Sequence, residues 1–159
     1  MHMVSNDMKK FFIKIFIFFV FFISYKSFSL AQEPIVEYLK KKNIDESETQ
    51  VYLLNRCSAV YAYASAILMK SDVLTSKKFI DTSNQLLFKS TELLVIDKKM
   101  KLEEAQKKVE KVRDDLFEKY INSGKDNWKK NKSHFKGSYI AIDMGICGKL
   151  VEGQLNQTQ

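Results

Sequence analysis

The side chains with the widest chemical reach in this 159-residue chain are two cysteines, Cys57 and Cys147. Each falls on the apolar face of an expected helix. Two inward-facing thiols most economically form one disulfide between the second and last helices if the chain meets an oxidising compartment, as its N-terminal residues lead one to expect. That bond would close a loop of about 91 residues, worth about 4–5 kcal/mol in the chain-entropy description. Free buried thiols and a redox pair are the alternatives, and no C-x-x-C spacing favours the second. Arg56 directly precedes Cys57. Asp143 stands one turn before Cys147, the one charge in the apolar run Tyr139-Ile140-Ala141-Ile142-Asp143-Met144-Gly145-Ile146-Cys147. Only two of the 26 basic residues are Arg, so an Arg at this place points to the planar fork that a carboxylate accepts. A disulfide would bring Arg56 and Asp143 together, and an ion pair beside it is expected. The alternative is that both charges reach solvent at the edges of the apolar faces. Gly145 and Gly148 flank Cys147, and close backbone approach at the disulfide is the expected reason for them, ahead of a hinge.

A second constellation lies at residues 125–136, with five lysines against Asp126, a net charge of +4. Lys125, Lys129, Lys130, Lys132 and Lys136 interleave there with Trp128, the only Trp, and with Phe135. Such a segment is either a solvated connection whose Trp docks on the domain, or a patch for an anionic partner. Lipid head groups, an acidic envelope polymer or an acidic protein fit that patch; nucleic acid does not fit a chain outside the cell interior. His134, in the same segment, is expected to be solvated. No phosphate-binding glycine loop, nucleophile elbow or H-E-x-x-H pattern occurs. The doublets Glu103-Glu104 and Asp114-Asp115 belong on the polar face of an amphipathic helix. No catalytic residue, metal or cofactor is expected, although a carboxylate pair assembled from distant residues would leave no sequence signal.

These residues need elements to hold them. Lys9, Lys10 and Lys14 precede an uncharged Ile, Phe and Val run at residues 15–23, followed by small residues at Ser29 and Ala31. That pattern is expected to be a signal peptide cleaved after Ala31, ahead of a retained membrane anchor, because the apolar run is short of the about 20 residues that cross a bilayer. Met8 fits the natural start, with residues 1–7 as overhang. Residues 32–159 are expected to be one helical domain of 128 residues with no membrane-spanning helix. The total charge of +7 then falls to +4, from 22 basic and 18 acidic side chains.

The domain shows apolar residues at alternating spacings of three and four, the period of a helix. A short helix is expected over residues 34–42, starting at Pro34. Asp45 and Glu48 fit the cap of a second helix running to about residue 70. Leu54, Cys57, Tyr61, Ala64 and Leu68 form its face, and residues 60–69 are apolar nearly all round, as in a central helix. A third helix is expected from Ser76 to about residue 97, and a fourth over residues 99–122, stopped by Ser123-Gly124. A last helix is expected over residues 133–152. Four long helices with short links, plus the short first one, imply an all-α antiparallel bundle with one interhelical disulfide.

Asn55-Arg56-Cys57, an Ala- and aromatic-rich helix, and the late Asp143-x-x-x-Cys147 resemble a recurring type of small exported bacterial helical protein. The resemblance covers most of the domain and carries no assigned activity. More distantly, a small exported helical chain with one disulfide is similar to periplasmic acid-stress chaperones, from which no functional residue carries over. The expectation is a periplasmic or secreted, non-enzymatic protein with a binding or structural role in the cell envelope. The alternatives are a small envelope enzyme or enzyme inhibitor, and a holdase-like chaperone.

Overall fold

The three-and-four spacing of apolar residues winds the described residues into five helices, with no strand among them. They are α1 Ile35–Leu39, α2 Ser47–Leu68, α3 Val73–Lys98, α4 Leu102–Asn131 and α5 Tyr139–Leu155. The structure, a computed structural model, describes residues 32–155. The expected leader, with its cleavage point and start at Met8, lies outside the described residues, as does the tail from residue 156.

The four long helices make the expected all-α bundle, joined by the Cys57–Cys147 disulfide. Its centre is α2, in which every residue from 53 to 65 is buried. A helix buried all round must be apolar or small all round, and Ala59, Ala62 and Ala64 meet that need. Leu54, Val60, Leu86, Leu116, Tyr120 and Ile140 gather around it as the core.

Serines set the fit of α2 against α3. Ser58 Oγ donates to the Ser83 carbonyl at 2.9 Å, and Ser83 Oγ returns a bond to the Ser58 carbonyl at 2.8 Å. Ser65 and Ser76 make the same reciprocal pair, both bonds at 2.9 Å. Asn55 Nδ2 donates to Ser90 Oγ at 2.7 Å. Small hydroxyl side chains let the two backbones approach, and each of these serine hydroxyls finds a partner on the facing helix.

Helix ends differ from the sequence expectation in ways that matter for the site. α1 is shorter than expected, ending at Leu39. Glu46, not Asp45, precedes α2, and it makes no side-chain cap; Asp45 is held by Asn43 Oδ1, which accepts its N–H at 3.1 Å. Asp72 caps α3, accepting from the Thr75 N–H at 3.0 Å, while Ser76 is committed to Ser65. Ser123-Gly124 does not stop α4. The helix runs through it to Asn131 and ends where Lys132 takes a left-handed φ of 55°. Gly124 is there for space: a Cβ would overlap the Tyr63 hydroxyl and sit 2.6 Å from Tyr63 Cζ. α5 starts at Tyr139 rather than Ser133, because Ser133 Oγ accepts from the Lys136 N–H at 2.9 Å and turns the loop.

Candidate functional site

Arg56 and Asp143 meet in the bundle interior, with side chains 1% and 0% exposed. Arg56 comes from the middle of α2 and Asp143 from the second turn of α5. Asp143 Oδ2 accepts from Arg56 Nη2 at 2.6 Å and from Nε at 3.0 Å. The same oxygen accepts from the Tyr120 hydroxyl of α4 at 2.6 Å. The other oxygen, Oδ1, accepts the Ile35 N–H at the start of α1 at 2.8 Å. Arg56 also donates to the Tyr52 hydroxyl at 3.1 Å and to the Glu33 carbonyl. One guanidinium and one carboxylate therefore tie α1, α2, α4 and α5 together, next to the disulfide that joins Cys57 and Cys147 with Cα atoms 5.3 Å apart.

The electrostatics follow from that saturation. Burial works against the Arg56 charge, but the Tyr120 hydroxyl and Asp143 carboxylate outweigh it and hold its pKa above the ordinary arginine value. Burial, then the Asp143 carboxylate, push the Tyr120 hydroxyl well above its usual range. Both carboxylate oxygens and all three guanidinium nitrogens have partners, so the pair offers no free group to a substrate. It is a clasp: in a low dielectric, each charge is satisfied by partners that the surrounding helices supply.

The basic segment is mostly helix rather than connection. Residues 125–131 form the last two turns of α4, and Lys125, Lys129, Lys130, Lys132 and Lys136 are all exposed. Lys125, Trp128 and Lys129 sit at i, i+3 and i+4, which places them on one face, and Lys132 follows directly at the end of the helix. Lys129 and Lys130 in the last turn also suit the negative end of the helix dipole. Asn127 fixes the loop beyond: its Nδ2 donates to the Ser133 carbonyl at 2.7 Å and the Lys136 carbonyl at 3.0 Å.

The aromatic residues of this segment part ways. Trp128 stays 48% exposed, its ring stacked on His134 with centroids 4.9 Å apart. His134 is not a free solvated side chain: its Nδ1 pairs with the Tyr63 hydroxyl at 3.0 Å. Burial, with Tyr139 adding, pushes that Tyr63 hydroxyl up to about 12. Phe135 turns inward and packs on Tyr63 and the core, so it does not belong to the presented surface.

Gly145 and Gly148 need another account than close approach. A Cβ on Gly145 would meet nothing within 4 Å, and one on Gly148 would only reach the Tyr61 hydroxyl at 4.0 Å. Neither position has a close backbone contact that only a glycine would permit. Sequence reasoning also missed Tyr52 and Tyr120 as partners of Arg56, and the serine pairs. The serines did leave a signal, since Ser76, Ser83 and Ser90 recur every seven residues. Tyr120 left none, since a Tyr in an apolar stripe is indistinguishable from ordinary core. Among the described residues, no helix is long and apolar enough to cross a membrane. The chain matches no known family, no curated protein and no solved structure.

Proposed function

We propose that this chain is an exported, disulfide-tied helical binding module, non-enzymatic, that meets an acidic component of the cell envelope through the end of α4. The observation that carries this reading is Trp128. It is held half-exposed on His134, on the same helix face as Lys125 and Lys129 and beside the helix end at Lys132. An aromatic ring fixed among lysines suits an anionic partner with some apolar character. The buried charged pair has no spare group for catalysis, so the exposed end is the better place for function. The Cys57–Cys147 bond is consistent with an oxidising compartment, and sequencing of the exported protein should find Gln32 at its N-terminus.

Binding to soluble polyglutamate, followed by anisotropy at low and high salt, tests the reading. The oxidised protein binds at low salt and releases at high salt, and Lys129→Gln, Lys130→Gln and Lys132→Gln together abolish binding. Binding that survives all three changes overturns it.

A further inference from the structure

A second feature stands at the same end of the bundle. Met69, Val73 and Leu74, around the α2–α3 turn, are 60%, 70% and 67% exposed. α2 and α4 run parallel: Val51 packs against the cluster that holds Ala105 and Val109, Arg56 meets Tyr120, and further along Tyr63 lies against Gly124. From that level α2 continues to Leu68 and α4 to Asn131, about 7.5 and about 10.5 Å at about 1.5 Å per residue. The apolar turn and the Trp128 face therefore emerge together.

Charge is concentrated there too. Lys70, Lys77 and Lys78 flank the turn and are exposed. With the five lysines of residues 125–136 they make eight, against Asp72 and Asp126, a net of +6. The rest of residues 32–159 holds 14 basic and 16 acidic side chains, a net of −2. Asp72 is occupied in capping α3, and Asp126 pairs with Lys129 at 3.3 Å. The domain is polarised along its axis.

We propose that this end of the bundle docks on an anionic lipid surface. Met69, Val73 and Leu74 enter the boundary between head groups and acyl chains, Trp128 lies at the interface, and the lysines meet lipid phosphates. The proposal rests on the reading of the basic end given above and adds the partner's class. A soluble acidic polymer would satisfy the lysines but leave the apolar turn in water. A bilayer satisfies both, because its surface is anionic and its interior takes up apolar side chains. Tryptophan favours that boundary, having an apolar body and one polar N–H.

The test compares vesicles of phosphatidylcholine with and without phosphatidylglycerol, alongside soluble polyglutamate, using the oxidised protein recovered after export. All variants share one N-terminus, so any contribution from it cancels. Trp128, the only tryptophan, reports insertion by a shift of its emission to shorter wavelength. The protein partitions onto the anionic vesicles with that shift, and release follows as salt rises from about 0.1 M to about 1 M, where the screening length falls from about 10 Å to about 3 Å. Met69→Ser, Val73→Ser and Leu74→Ser together lower vesicle partitioning at least tenfold, as an order-of-magnitude expectation for lost apolar burial, and leave polyglutamate binding unchanged. Lys129→Gln, Lys130→Gln and Lys132→Gln together abolish polyglutamate binding and weaken vesicle binding by about fivefold per lysine. Circular dichroism checks that each exposed-site variant remains folded. Vesicle binding undiminished in the triple serine variant overturns the lipid proposal. So does polyglutamate binding without anionic-vesicle binding, which assigns the end to a polymer or protein and leaves the broader reading standing. Failure to bind either overturns both.

Discussion

Arg56 Nη2 lies 2.6 Å from Asp143 Oδ2 across the α2–α5 contact, one residue from Cys57 on one helix and one turn from Cys147 on the other. Two links of different chemistry thus hold the same pair of helices. The covalent one limits how far the unfolded chain can spread. The ionic one also takes in Tyr120 and the Ile35 N–H, so it reaches α4 and α1 as well.

Removing one partner leaves the other charged in a dry interior. Arg56→Met or Asp143→Asn should each cost about 3–5 kcal/mol of stability in urea unfolding. Arg56→Met with Asp143→Leu should recover part of that loss. Exchanging the two charges should recover little, because an arginine at 143 cannot accept the Ile35 N–H. Single variants within about 1 kcal/mol of wild type would show that the clasp contributes little.

Reduction tests the covalent link. Cys57 and Cys147 are separated by 90 positions, for which loop-closure entropy gives about 4–5 kcal/mol. Reduced protein should unfold at lower urea, and amide exchange should rise first in α5. Equal protection of α5 with and without reductant would refute the second half of this.

Two glycines offer a paired comparison. Gly124→Ala should destabilise by about 1–3 kcal/mol, since the new methyl overlaps Tyr63. Gly145→Ala should stabilise by up to about 1 kcal/mol, since its surroundings are open and alanine favours helix. Thermal melts of both variants check the signs.

Alkaline pH should unfold the domain. Tyr38, Tyr61, Tyr63, Tyr120 and Tyr139 are all raised above the ordinary tyrosine value, chiefly by burial. A neutral acid whose folded pKa exceeds its unfolded one contributes stability that is complete below about pH 10. That stability is lost as pH rises through the folded values, which for Tyr63 is about 12. Stability should therefore fall from about pH 10 upward, less steeply in Tyr63→Phe. A flat profile from pH 10 to about 12 would count against the buried hydroxyls.

The helices, the central place of α2 and the pairing of Cys57 with Cys147 were legible because each rests on a local pattern or on simple counting. Apolar spacing gives the helical period, and two inward cysteines have few other options. The proximity of Arg56 and Asp143 followed from that pairing. Helix ends were less legible. Gly124 has the sequence appearance of a stop, yet its missing Cβ serves Tyr63, more than sixty residues away, and no local rule contains that fact. Lys125 to Lys132 consequently changed from a linker into a helix face. Tyr120 and Tyr52 became hydrogen-bond donors and acceptors only when tertiary packing placed them around a guanidinium. The apolar turn and the lysine face share one end because α2 and α4 run parallel. The sequence alone determined the periods and the charges; the tertiary structure decided which side chains those periods bring together, because contact depends on chain crossing and registry rather than on spacing.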